Sequence, residues 1–154
     1  MLDSSLFFDP PGTAITSTAV SANVLDMLGT QDVGIGTPLR VAVVSNLAFA
    51  ADGAATLQIQ LQGASDNYGV PGGWDVYAQT EPLTIAQLNS LTFQNGSLVG
   101  FMLPTRGPND GLPRFYRLNY VVATGPFTAG GLQSMLTPAR ASAPQYPAGV
   151  IVQN

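Results

Sequence analysis

The chain has no cysteine, no histidine and no lysine; its five cations are all arginine. The first absence excludes disulfides and thiolate metal sites. The second removes the commonest metal ligand and the commonest general base. Without lysine there is no amine nucleophile and no phosphate-loop lysine. Charge is scarce too. Only 9% of the 154 residues are charged and the net charge is -4, against about 25% charged residues in ordinary soluble domains. A basic stripe of the kind that tracks nucleic acid is missing. No apolar run approaches the roughly 20 residues of a spanning helix, so neither nucleic acid nor membrane is an expected partner. Met1–Pro11 lacks the positive n-region and long h-region of a signal peptide. A surface so poor in charge must be built from Ser, Thr, Asn and Gln. Two readings fit that: a surface partly covered by neighbours, since interface cores are depleted in charge, or a secreted domain with a neutral exterior.

What is present reads as strands. The clearest is Arg114–Ala123, in which Tyr116, Leu118, Tyr120 and Val122 fall on one face and Arg117, Asn119 and Val121 on the other. Pro113 precedes it and Thr124-Gly125-Pro126 turns the chain after it. The stretch 55–62 alternates strictly, with Leu57, Ile59 and Leu61 inward and three glutamines outward. Residues 38–45 read as a buried strand, apolar on both faces toward its end. Further strands are expected over 13–21, 23–27, 74–79, 97–103 and 132–136. Thr84–Asn89 is the one plausible helix, with Thr84 as N-cap. Loops are expected at 29–36, 63–73 and 104–113. No internal repeat is visible. The pattern predicts an all-β sandwich or barrel of eight or nine short strands, long enough to bury a core without staples. Three parts are expected: an N-terminal arm over 1–12, a sandwich over 13–137 and an extended tail over 138–154. The arm's Leu6-Phe7-Phe8 needs a pocket in its own core or on a neighbour. The tail, with prolines at 138, 144 and 147 and Val150-Ile151-Val152 near its end, either closes the chain's own sandwich or adds a strand to a neighbour.

The chemistry is thin. Gly34-Ile35-Gly36 has neither the spacing nor the helix of a phosphate loop. Asp66-Asn67-Tyr68-Gly69 has the flavour of a calcium loop but the wrong acidic spacing and no distal Glu. Asp75, Glu81 and Asp110 are the acids left for carboxylate catalysis, yet most acids here sit beside turn formers. Arg114 and Arg117, three apart on a strand, point to opposite faces and do not jointly grip a phosphate. Trp74, Tyr68 and Tyr77 are candidates for a sugar-stacking platform, with ordinary packing as the plainer reading.

Thr18–Asp26 followed by Asp32–Leu39, the run Leu57–Gln62 with Ser65-Asp66, and Arg114–Tyr120 with Phe127–Gly130 occur in an order and spacing that resemble the jelly-roll capsid cement proteins of tailed bacteriophages, the family typified by a Bordetella phage. The resemblance covers residues 18 to about 136. Longer 63–82 and 104–113 loops and the tail after Pro138 depart from it. It implies a jelly-roll-like antiparallel β-sandwich that decorates the outer surface of an HK97-like head and reinforces joints between major capsid subunits. No cofactor, small-molecule substrate or enzymatic activity is implied; the implied partners are the major capsid protein and further copies of the chain, as a dimer or trimer. Phe7 and Phe8 in the first arm, Arg117 and Asn119 on the polar face of the central strand, and Tyr146, Val150 and Ile151 in the tail are the candidate partner-binding residues. The other reading is a carbohydrate-binding sandwich on a virion or cell surface. With no ligand set at metal-binding spacing, the melting temperature is expected to be unchanged by a chelator; a fall of several degrees would contradict this reading.

Overall fold

Alternation governs the architecture. In the computed structural model, which describes residues 6–27, 39–90, 99–103 and 113–138, the period-two segments become strands β1 (Phe7–Ala14), β2 (Ala19–Val20), β3 (Leu25–Asp26), β4 (Leu39–Ala50), β5 (Thr56–Asn67), β6 (Val70–Gln79), β7 (Leu83–Thr84), β8 (Val99–Met102), β9 (Phe115–Ala123) and β10 (Ala129–Pro138), with one short helix, α1 (Ile85–Ser90), after β7. One sheet has the order β1-β10-β4-β8 and the other β2-β9-β5-β6, with β3 also on β9 and β7 on β5. Every one of these pairings is antiparallel. The first strand pairs with the last, β2 and β3 with the next to last, β4 with β8 and β5 with β6. That is a long hairpin rolled into two sheets, a jelly-roll-like sandwich, and the β5–β6 turn is the hairpin's tip.

The core lies between the sheets. Leu57, Ile59 and Leu61 of β5 and Tyr116, Leu118 and Tyr120 of β9 meet Phe8, Val41, Val43, Leu132 and Leu136 of the facing sheet in one buried cluster. The predicted faces of the central strand hold: Arg117, Asn119 and Val121 are partly exposed on its other side. Phe115, which alternation along β9 sets on that same side, is nevertheless buried. Phe49 and Phe127 close one end edge to face, ring centroids 5.1 Å apart. Gly130, at φ +146, sits beneath Phe49; a Cβ there would stand 2.2 Å from the ring. The helix begins where expected, because Thr84 and Gln87 form a capping box: the Thr84 N–H donates to Gln87 Oε1 at 2.9 Å and the Gln87 N–H to Thr84 Oγ1 at 3.4 Å. Leu88 enters the core. Asn89 uses its amide like a neighbouring strand, accepting from the Phe49 N–H at 2.7 Å and donating to its carbonyl at 2.9 Å.

Three expectations are corrected. Residues 7–12, read as an arm, belong to β1 and pair with β10 inside the chain's own sheet. In the stretch 13–27, Thr13 and Ala14 complete β1 on β10, and the remainder forms only two short bridges to β9 rather than two full strands. The loop expected over 63–73 is mostly strand. β5 runs on to Asn67 and β6 starts at Val70, since Tyr68 (φ 54) and Gly69 (φ 88) form a two-residue turn of the kind whose twist suits hairpins. Asp66 Oδ1 holds that turn by accepting from the Gly69 N–H at 2.8 Å. The expected 29–36 loop, 104–112 and the tail beyond Pro138 lie outside the described residues. Leu118 is fully buried at the centre of the sandwich. Leu118→Ala is therefore expected to cost about 2–5 kcal/mol of folding stability. Arg117→Ala, by contrast, is expected to cost about 1 kcal/mol, one hydrogen bond and one ring contact. Denaturant melts of the two variants check the ranking, and equal losses would mean that the faces are misassigned.

Candidate functional site

The outer face of the β9–β5–β6 sheet carries the polar side chains that the sequence placed together. Register sets Gln62 opposite Arg117 and Gln60 opposite Asn119, with Gln79 of β6 opposite Gln60. The Asn119 amide donates to Gln60 Oε1 at 2.8 Å, and the Gln60 amide donates to Gln79 Oε1 at 3.1 Å. One row up, Arg117 Nε donates to Gln62 Oε1 at 2.8 Å while its guanidinium lies 4.1 Å from the centre of the Trp74 ring. Partial burial pulls the Arg117 guanidinium below its ordinary value, but an arginine keeps its charge there. The face is thus a layer of amides oriented by one another around a single stacked cation. Such a surface is polar, nearly neutral and pre-organised, which lowers the ordering cost of docking.

Arg114, at the entry to β9, is held elsewhere. Its guanidinium donates to both Asp26 oxygens at 2.7 Å, meets Asp66 at 3.2 Å and lies 4.8 Å from the centre of the Phe115 ring. The bidentate bond to Asp26 raises its pKa further above the ordinary value. Asp66 is accordingly spent on a turn and an ion pair. The aromatic platform is not assembled as expected. One face of Trp74 is occupied by Arg117, Tyr77 stands edge-on to Tyr116 at 6.4 Å, and Tyr68 is alone at the hairpin tip. Asp75 and Glu81 are exposed on the surface, and Asp110 lies outside the described residues.

Of the candidate partner-binding residues, Arg117 and Asn119 share this face. Phe7 is partly buried on the other sheet, opposite Met135. Phe8 is corrected: it is fully buried in the chain's own core and offers no surface. Tyr146, Val150 and Ile151 lie outside the described residues.

Sequence reasoning missed the most consequential polar group, Asp9. It is completely buried. Its Oδ1 accepts from the Ala22 N–H at 2.8 Å, and its Oδ2 accepts from Tyr120 at 2.5 Å and from Ser134 at 2.6 Å. Asp9 and Ser134 belong to one sheet and Tyr120 to the other, so the carboxylate ties the two layers together. The signal was an acid directly after two aromatic residues, but it was hidden by the prolines that follow. Removing the Tyr120 hydroxyl leaves a buried carboxylate short of a donor, so Tyr120→Phe is expected to cost about 1–3 kcal/mol at neutral pH. Burial, and then the Asp9 charge, push the Tyr120 phenol well above its ordinary 10.0. The folded state therefore holds that proton more tightly than the unfolded chain. This contribution is complete below pH 10 and is lost as pH rises from there toward the folded value. Alkaline melts are expected to fall more steeply above pH 10 for the wild type than for Tyr120→Phe; parallel curves would count against the linkage.

A sequence model of the Bbp16 family matches residues 10–136, a span reaching from β1 into β10. The chain belongs to that family, whose name suggests a Bordetella phage protein. No curated protein matches the chain.

Proposed function

We propose that this member of the Bbp16 family is a structural protein of the phage virion, a cement protein that binds the outside of an HK97-like head and stabilises contacts between major capsid subunits. The observation that carries the reading is the family match over residues 10–136, which takes in both sheets and all of the polar outer face. The geometry of that face supports it. Gln60, Gln62, Gln79, Arg117 and Asn119 satisfy one another and leave a firm, weakly charged surface, as suits docking on another protein rather than turnover of a small molecule. The partners are the major capsid protein and other copies of this chain. The mechanism is linkage: a protein that binds the assembled shell, and not its dispersed subunits, stabilises the shell by RT ln(1 + [L]/Kd) at each site, and the gain multiplies over the repeated lattice. No reaction is catalysed. The carbohydrate-binding alternative loses support because Trp74, its strongest stacking ring, already holds Arg117 on one face.

Purified soluble protein added to empty shells of its phage's major capsid protein is expected to co-sediment with them at a saturable stoichiometry and to raise the temperature at which they fall apart. Binding to a glycan array without binding to shells would overturn the reading.

A further inference from the structure

The β5–β6 hairpin ends in a side chain that the fold does not use. Tyr68 is 101% exposed, as open as the residue can be. It also holds a backbone angle of φ 54 that bulky side chains rarely adopt, where glycine or asparagine is the usual occupant of such a turn. Among the described residues, the other non-glycine residue at positive φ is Thr124. There the chain beyond the turn gains the burial of Phe127 and a backbone bond from Phe127 to Thr16. At Tyr68 the turn closes the β5–β6 hairpin, which glycine or asparagine would serve as well, and the tyrosine ring itself gains nothing from the fold. The strain is held by the flanking strands and by Asp66, while the ring points into water. Val70 and Val76, further along the same hairpin, are about half exposed. An aromatic ring kept exposed on a strained, hydrogen-bonded turn is the composition of an interface anchor, because tyrosine gives large contact area at small ordering cost.

The geometry points to the β5–β6 hairpin as a docking finger whose tip, Tyr68 with Val70, seats in an apolar socket on the assembled capsid shell. This rests on the proposed cement function and names the surface that performs it. Charge tells something of the socket. Arg114 is shared between Asp26 and Asp66, so one cation faces two carboxylates near the base of the hairpin, and Asp75 on β6 is exposed and carries no ion pair among the described residues. The finger therefore offers an apolar tip with net negative charge behind it. Its complement is an apolar socket with a basic rim on the shell.

The test compares the wild type with Tyr68→Asn, with Val70→Thr as a second variant and Val24→Ser as a control at an exposed valine outside the hairpin. Each is titrated onto shells of the major capsid protein at low and high salt, and its melting temperature and sedimentation are recorded. Asparagine suits the turn, so Tyr68→Asn is expected to fold with an unchanged or higher melting temperature yet to bind shells about tenfold more weakly or worse. Val70→Thr should lose affinity in the same direction and Val24→Ser should not. Wild-type binding is expected to weaken with salt; a salt-independent affinity overturns the basic rim. Equal shell binding by wild type and Tyr68→Asn overturns the finger and leaves the cement function standing, while a wild type that ignores shells overturns both. If Tyr68→Asn instead alters only self-association of the free protein, the tip contacts a second copy and the assignment is wrong.

Discussion

The structure depends on one buried carboxylate. Asp9 receives hydrogen bonds from Ala22, Tyr120 and Ser134, and those three come from the crossover after β1, from the opposite sheet and from the neighbouring strand. A carboxylate taken out of water is costly unless donors replace its hydration. Here the donors are available only when both sheets and the crossover are in place. The same crossover is stitched to β1 by the Asn23 N–H, which donates to the Phe8 carbonyl at 2.9 Å, and to β9 by paired bonds between Ser21 and Leu118. Apolar burial makes the two layers collapse, and it would tolerate some sliding of one against the other. The Asp9 bonds favour a single alignment, because each is lost within about an ångström of movement.

That alignment also composes the outer face of the second sheet. Register between β5 and β9 decides that Gln62 meets Arg117 and Gln60 meets Asn119. A slip of one residue would send these side chains inward and Leu118 outward. The sandwich is consequently two-sided in packing. Its core faces hold the fold, its outer face carries a weakly charged layer of amides, and its long hairpin ends in the exposed Tyr68. Weak overall charge ceases to be a puzzle if this exterior is covered in the particle, since charged groups are costly to desolvate at an interface core.

Legibility followed period. The strict alternations of 57–62 and 116–122 gave the two central strands of one sheet and their inward faces correctly, because a side chain on a strand can face only two ways. Thr84 and Gln87 announced the helix start at a fixed spacing that local hydrogen bonds enforce. Where the chain departs from period two, reading along it failed. Phe8 and Asp9 are adjacent and yet both buried; the register slips between Phe7 and Asp9 against β10, a bulge that turns two successive side chains inward. The expected aromatic platform failed for a simpler reason: Trp74 and Tyr77, three apart on β6, fall on opposite faces by plain alternation, so Trp74 meets Arg117 and Tyr77 meets Tyr116. The 63–73 segment looked like a loop because its glycines and polar residues resemble turn chemistry, whereas only Tyr68 and Gly69 turn.

By itself, then, the sequence determined the all-β class, the faces of the regular strands, the capped helix and the absence of histidine, cysteine and lysine chemistry, since these follow from residue type and local spacing alone. Tertiary structure decided which distant strands pair, that Phe8 enters the chain's own core, that Asp9 is a cross-sheet tie and that Arg117 rests on Trp74. Each of these depends on partners tens of residues away or on a bulge in register, and neither contact order nor register is written in any single stretch of chain.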